Sequence, residues 1–313
     1  MSASRDRIDV HQHVVPPAHA EWLRARGLDA GGLPIPAWST ESALAVMDAN
    51  GIATGILSVS APGVHLGDGA EARRKARAVN EFTAEMVRTH AGRFGFFATV
   101  TLPDVDGALA EAAYALDELR ADGVILLANA DGRYLGEPEF APLLAELDRR
   151  GAVVFIHPAA LPAPALPGLP PFVADFLLDT TRAAIDLVRS GAMRRHPGLR
   201  IILGHAGGFL PYAAHRIGVT LAFLGQRPLD EVLADLRRFY FDTALSTPAA
   251  LPSLLAFAAP GHVLFGSDSP YAPPMVVEHF TRELDAFPDL DGPARAAIDR
   301  ASALALFPRL RTR

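Results

Sequence analysis

Short runs of β-branched and aromatic residues alternate along this chain with longer stretches of helical periodicity. Strand-like runs lie near Ile8 to Val10, Thr54 to Val59, Phe94 to Thr101, Val124 to Leu127, Val153 to Ile156, Ile201 to Leu203, Phe239 to Asp242 and Val263 to Phe265. Helical patterns fall between them, near Thr40 to Ala49, Glu71 to Thr89, Val105 to Arg120, Glu139 to Arg149, Phe172 to Arg189, Leu210 to Leu224, Ala249 to Phe257 and Val276 to Asp285. Strands that alternate with helices form parallel sheets joined by helical crossovers. Helix punctuation agrees: Ser39 or Thr40 caps the first helix and Gly51 follows it, while Pro138 and Gly151 bracket the fourth. Eight such units predict an α/β fold of the closed (β/α)8 TIM-barrel type. An open doubly wound sheet is the alternative, but it normally carries a glycine-rich loop after its first strand, where this chain has His11 and His13. With no internal repeat and no linker, residues 1–313 read as a single domain.

The length of 313 residues fits that reading, because barrels of this type commonly run to about 250 residues or more. A net charge of −6 with no extended basic cluster argues against a nucleic-acid partner. Cysteine is absent, which excludes disulfides, a thiolate nucleophile and thiolate metal ligands. The N-terminal Met1 to Arg7 lacks the apolar core of a signal peptide, so a cytoplasmic location is expected. Prolines interrupt the most sustained apolar stretch, Ala249 to Pro260, and no membrane span is expected. Lys75 is the only lysine.

The strand ends carry the chemistry. His11 and His13 share a face at the end of the first strand, since side chains two residues apart point the same way, and neutral imidazole is the commonest transition-metal ligand. Three later runs end alike: Val153 to His157, Ile201 to His205 and Val263 to Asp268. The C-terminal ends of barrel strands are where such folds keep their active sites. Three histidines and a carboxylate make a nitrogen-rich site with room for water or substrate, which leaves His205 available as an acid or base. Two long segments frame that face: the first loop, His13 to Trp38, and the proline-rich stretch Pro158 to Pro171.

Taken in order, Asp9-Val-His11-Gln-His13, Ile156-His157-Pro158, Gly204-His205-Ala-Gly-Gly208 and Gly266-Ser-Asp268-Ser-Pro270 resemble the amidohydrolase superfamily. Within it, the chain is similar to the branch of aminocarboxymuconate semialdehyde, γ-resorcylate and 6-methylsalicylate decarboxylases. The resemblance implies one divalent ion, zinc or manganese, on His11, His13, His157 and Asp268, with His205 as the catalytic histidine. It further implies a homodimer in which Arg216 crosses to a neighbour to bind the substrate carboxylate, and places Tyr271 at an aromatic substrate contact. Many binuclear members bridge their metals through a lysine at the fourth strand; this chain reads Ile125-Leu-Leu-Ala-Asn129 there, which favours a single ion. Muconate-type members carry an arginine just before the Met-Asp of the first helix, where this chain has Val46.

The expected substrate is therefore a small aromatic carboxylate, an ortho-hydroxy acid of the 6-methylsalicylate kind, losing CO2 without oxidation. Either Asp268 or His205 would donate the proton. The same residues would also serve a mononuclear hydrolase of a lactone or amide, with His205 or Asp268 activating water. A non-catalytic metal-binding scaffold has no use for a histidine beside an open coordination position.

Overall fold

The computed structural model describes residues 6–312. Eight parallel strands follow one another around a barrel in sequence order: β1 (Arg7–His13), β2 (Ile52–Ser58), β3 (Phe94–Thr99), β4 (Gly123–Leu127), β5 (Val153–His157), β6 (Arg200–Leu203), β7 (Tyr240–Asp242) and β8 (Val263–Leu264). Their almost continuous burial is what strands covered on both faces require. The ladder has no regular β8–β1 pairing; the seam is instead joined by backbone bonds from Val10 N to Phe265 O, Asp268 N to His11 O and His13 N to Ser269 O. The β1–β2 register shifts between Asp9 and Gln12, a bulge beside His11 of the kind that re-aims side chains next to active sites.

Helices cover the outside. The expected ones appear as α2 (Thr40–Ala49), α3 (Gly69–Thr89), α4 (Val105–Asp117), α5 (Ala141–Arg149), α6 (Asp175–Arg189), α8 (Leu210–Gly225), α10 (Leu251–Phe257) and α11 (Pro274–Ala286). Ser39 caps α2 by accepting from Ser42 N, and Gly51 follows with a φ of 64°. Helices not expected from the pattern are α1 (Pro17–Arg24), the four-residue α7 (Ala192–Arg195), α9 (Leu229–Arg237), and α12 (Gly292–Ala296) with α13 (Ser302–Leu306) near the C-terminus. No helix among the described residues is long and apolar enough to cross a membrane.

Two interiors result. A large apolar core lies between strands and helices, and a smaller one fills the barrel, where Phe97, Phe155, Ile202 and Leu264 meet Leu306 and Phe307. Phe155 stacks on Phe97 at 5.4 Å and touches the His11 ring at 4.8 Å, so the site stands on a packed floor. The long first loop has an apolar cluster of its own around Val15, Trp22, Leu23 and Ile35. Trp22 fixes it to α3: its indole N–H donates to Glu71 at 2.9 Å, and Arg26 and Lys75 lie over its ring.

Candidate metal centre

His11, His157, His205 and Asp268 bring one ligand atom each to within 4.8 Å of one another, and all four residues are buried. His13 joins them, with Nε2 at 3.1 Å from His11 Nε2 and 3.0 Å from Asp268 Oδ1. The strand ends thus place His11, His13, His157, His205 and Asp268 together. Arg216 stands apart, exposed on α8. Tyr271 lies against the cluster, its ring 5.2 Å from that of His13.

The hydrogen bonds around the rings differ in a way that matters. His11 donates from Nδ1 to Asp242 Oδ2 at 2.7 Å, His13 from Nδ1 to the Ser58 carbonyl at 3.2 Å, and His157 from Nδ1 to the Pro158 carbonyl at 2.8 Å. An acceptor on Nδ1 places the ring proton there and leaves the Nε2 lone pair to point at the centre. Two such lone pairs 3.1 Å apart repel unless a proton or a cation lies between them. Donor separations of 3.0 to 3.3 Å also match atoms that share one ion at about 2.0–2.2 Å. The donor set is that of a metal-binding site. His205 has no such acceptor: its Nδ1 lacks a protein partner, and its Nε2 lies 3.3 Å from Asp268 Oδ2.

Electrostatics follow from burial and from neighbours. Burial opposes a charge on His11, but Asp242 and Asp268 outweigh it and raise the imidazole to about 10. Burial tends to raise the Asp268 carboxyl too, yet the His11 charge and hydrogen bonds from His11, His13 and His205 hold it well below the carboxylate range. His13 is lowered by burial, and His157 is driven well down by burial together with the surrounding histidines. The centre accordingly keeps its carboxylate ionised and the imidazoles of His13 and His157 neutral, the states in which they ligate.

Sequence reasoning missed the supporting residues. Asp242, at the end of β7, also accepts His205 N and Ala244 N through Oδ1, both at 2.9 Å. Asp9 accepts from His11 N at 3.0 Å and from the Ser267 hydroxyl at 2.5 Å, tying β1 to the segment that carries Asp268. The strand-end signal that marked Asp268 applies equally to Asp242. His205 and Asp268 themselves have left-handed backbones, φ 53° and 64°, which cost about 1–2 kcal/mol each and persist only where surroundings enforce them.

Above the cluster lies a cavity of about 370 Å³. Its polar end holds Ser60, His157, His205, Asp268 and Tyr271, and the rest of its wall is apolar, including Leu33 of the first loop and Phe176 of α6. Gly31, at φ 65°, abuts Phe176 of α6 so closely that a Cβ there would meet the ring at 2.2 Å, and a Cβ on Gly32 would lie 3.1 Å from Pro170; the two mouth segments therefore touch through Gly32.

A barrel with imidazoles and a carboxylate converging at its C-terminal mouth defines a class of metal-centred enzymes. The amidohydrolase family profile matches residues 8–309, and the chain belongs to that family. It is 42% identical to the 6-methylsalicylic acid decarboxylase of Penicillium expansum, with 97% of each chain covered. It is 44% identical to the 6-methylsalicylic acid decarboxylase acuB of Aspergillus aculeatus, again over 97% of both. Among solved structures, one described as an amidohydrolase II superposes with a TM-score of 0.91 at 31% identity, covering 97% of this chain and 100% of the other.

Proposed function

We propose that this protein is a metal-dependent, non-oxidative decarboxylase of an aromatic ortho-hydroxy carboxylic acid, of the 6-methylsalicylate kind, acting as one domain over residues 1–313. The observation that carries this reading is end-to-end similarity to decarboxylases of that acid, in a chain whose strand ends gather the ligand set beneath a mainly apolar cavity. His11, His13, His157 and Asp268 would hold a single divalent ion, zinc or manganese. When bound, that ion supplies Lewis acidity and a template for the carboxylate and neighbouring phenolate oxygens.

The chain's own groups do the rest. Ser60 and Tyr271 sit at the polar end of the cavity and orient the acid. The packed walls exclude water from the ring. A proton carried by His205 reaches the ring carbon bearing the carboxylate either directly or by way of the Asp268 carboxylate, 3.3 Å from His205 Nε2, which takes it up and hands it on. The bond from that carbon to the carboxylate then breaks, its electron pair returns to the ring, and CO2 leaves a phenol behind. His205 suits a moving proton because no acceptor fixes its second nitrogen.

The homodimer reading draws on α8. Tyr212, Phe223 and Leu224 are 84, 82 and 70% exposed, and Val219 is 53% exposed, so Arg216 emerges from an uncovered apolar face. Seated on a second copy, that face would carry Arg216 toward the partner's carboxylate-binding end.

Decarboxylation in deuterated water tests the reaction. The phenol should carry one deuterium at the former carboxyl carbon, and excess bicarbonate should drive measurable carboxylation. Efficient opening of lactones or amides, with no CO2 released from any hydroxybenzoate, would replace this reading with a hydrolase.

A further inference from the structure

The cavity over the centre is divided along its length. All of its polar lining, Ser60, His157, His205, Asp268 and Tyr271, gathers at the inner end, and no lysine or arginine is among the described residues that line it. The rest of the wall is apolar and includes Leu177, Val276, Phe172 and Val173; the last two, 39 and 47% exposed, mark its solvent side. Apolar side chains gathered at the mouth of a ligand cavity offer surface that an apolar part of a ligand can cover. The volume of about 370 Å³ also exceeds what a methyl-substituted salicylate fills at interior packing density.

We propose that the cavity takes salicylates whose ring bears an unbranched apolar chain longer than methyl, the chain lying along Val276, Phe172 and Val173 toward solvent. This deepens the decarboxylase reading and rests on it for the identity of the head group. The polar end can satisfy one carboxylate and one phenol oxygen. Further charged or hydroxyl substituents directed outward would meet only carbon and would lose hydration without a partner. A methylene chain there removes apolar surface from water on both sides of the contact.

Calorimetric titration of the purified protein with 6-methyl-, 6-propyl- and 6-pentylsalicylate tests this, with CO2 release recorded separately for the methyl compound. Affinity should rise about two- to fourfold per added methylene, the scale set by burying a CH2 group. Phe172→Asp and Val173→Asp should each lower the ratio of pentyl to methyl affinity at least tenfold, and both positions are exposed enough to tolerate the change. Affinity in the unaltered protein that is flat or falls from methyl to pentyl overturns the proposal. Chain-length dependence without CO2 release would leave the channel standing and remove the decarboxylase reading instead. CO2 release from the methyl compound, with the pentyl compound excluded, would do the opposite.

Discussion

The acceptor on the far nitrogen of each imidazole decides what its near nitrogen can do. Asp242 is the strongest such acceptor, a fully buried carboxylate 2.7 Å from His11 Nδ1 that also accepts two backbone N–H groups. Asp242→Asn keeps the shape but offers only a neutral oxygen on one side and N–H donors on the other, so His11 loses its charge-assisted bond and part of its orientation. Metal affinity should drop roughly 10- to 100-fold, as measured by chelator competition. An unchanged affinity would show that the carboxylate serves only the His205 backbone. The hydroxyl of Ser267 and the carboxyl of Asp9 work on the other side of the centre. Burial pushes that carboxyl up to about 7, against the Ser267 hydrogen bond, which pulls it down. Asp242 shares the strand-end position that marks Asp268, but neither it nor Asp9 shows in sequence what it faces. An acidic residue at a strand end is also common turn and cap chemistry, and only the folded chain shows which imidazole it faces.

Among the elements, α1 depends most on what it packs against. Its His19 is buried, lies 5.5 Å from the Trp22 ring and has an Nδ1 with no partner. Burial, helped by the Lys75 charge, lowers this imidazole from 6.5 to about 4. On acidification the unfolded chain therefore takes up the proton first. The stability tied to a neutral His19 is complete above about pH 6.5 and drains away as pH falls toward 4, by on the order of 3 kcal/mol. His19→Phe, which retains a ring for Trp22, should flatten the dependence of the urea midpoint on pH across that window; an unaltered slope would place the acid-sensitive group elsewhere. The same helix shows where reading by pattern stops. Strand runs and most helices were legible because burial on both faces, or on one stripe, leaves a period in the sequence. The eight-residue α1 carries too few turns for a period, follows Pro16 and opens on Pro17, and is held by Trp22 against Glu71 and Lys75, contacts that exist only after folding. In α9 the spacing of Leu229, Val232, Leu233 and Leu236 is amphipathic, yet it falls where a strand was the next element due, and a second consecutive helix breaks the alternation. The five ligand and acid–base candidates were legible because each lies at, or within a few residues of, the C-terminal end of a strand, which is visible both as a change of hydropathy and as a point in the topology.

At the scale of the whole molecule, the uncovered face of α8 should be where two chains meet. Sedimentation should give a dimer, and Phe223→Asp, which places a charge in the apolar stripe, should yield monomers at micromolar concentration with the barrel still folded. If Arg216 acts across that contact, mixing inactive Arg216→Ala with inactive His205→Asn chains should restore part of the activity; no recovery after proven subunit exchange would confine the arginine to its own chain. The seam of the barrel has a consequence of a different kind. His13 and Asp268 are 255 positions apart in sequence, yet their ligand atoms are 3.0 Å apart, because β1 is joined to the segment after β8 by backbone bonds. A contact of such sequence separation carries a large loop-closure cost before it rewards the chain. A chain still emerging from the ribosome, with residues beyond Pro260 unmade, already owns His11, His13, His157 and His205 but lacks the carboxylate of Asp268 that completes the set. An ion held by His13 and Asp268 would clasp the first strand to the segment that follows the last, so that its capture would wait until the two edges of the barrel have met.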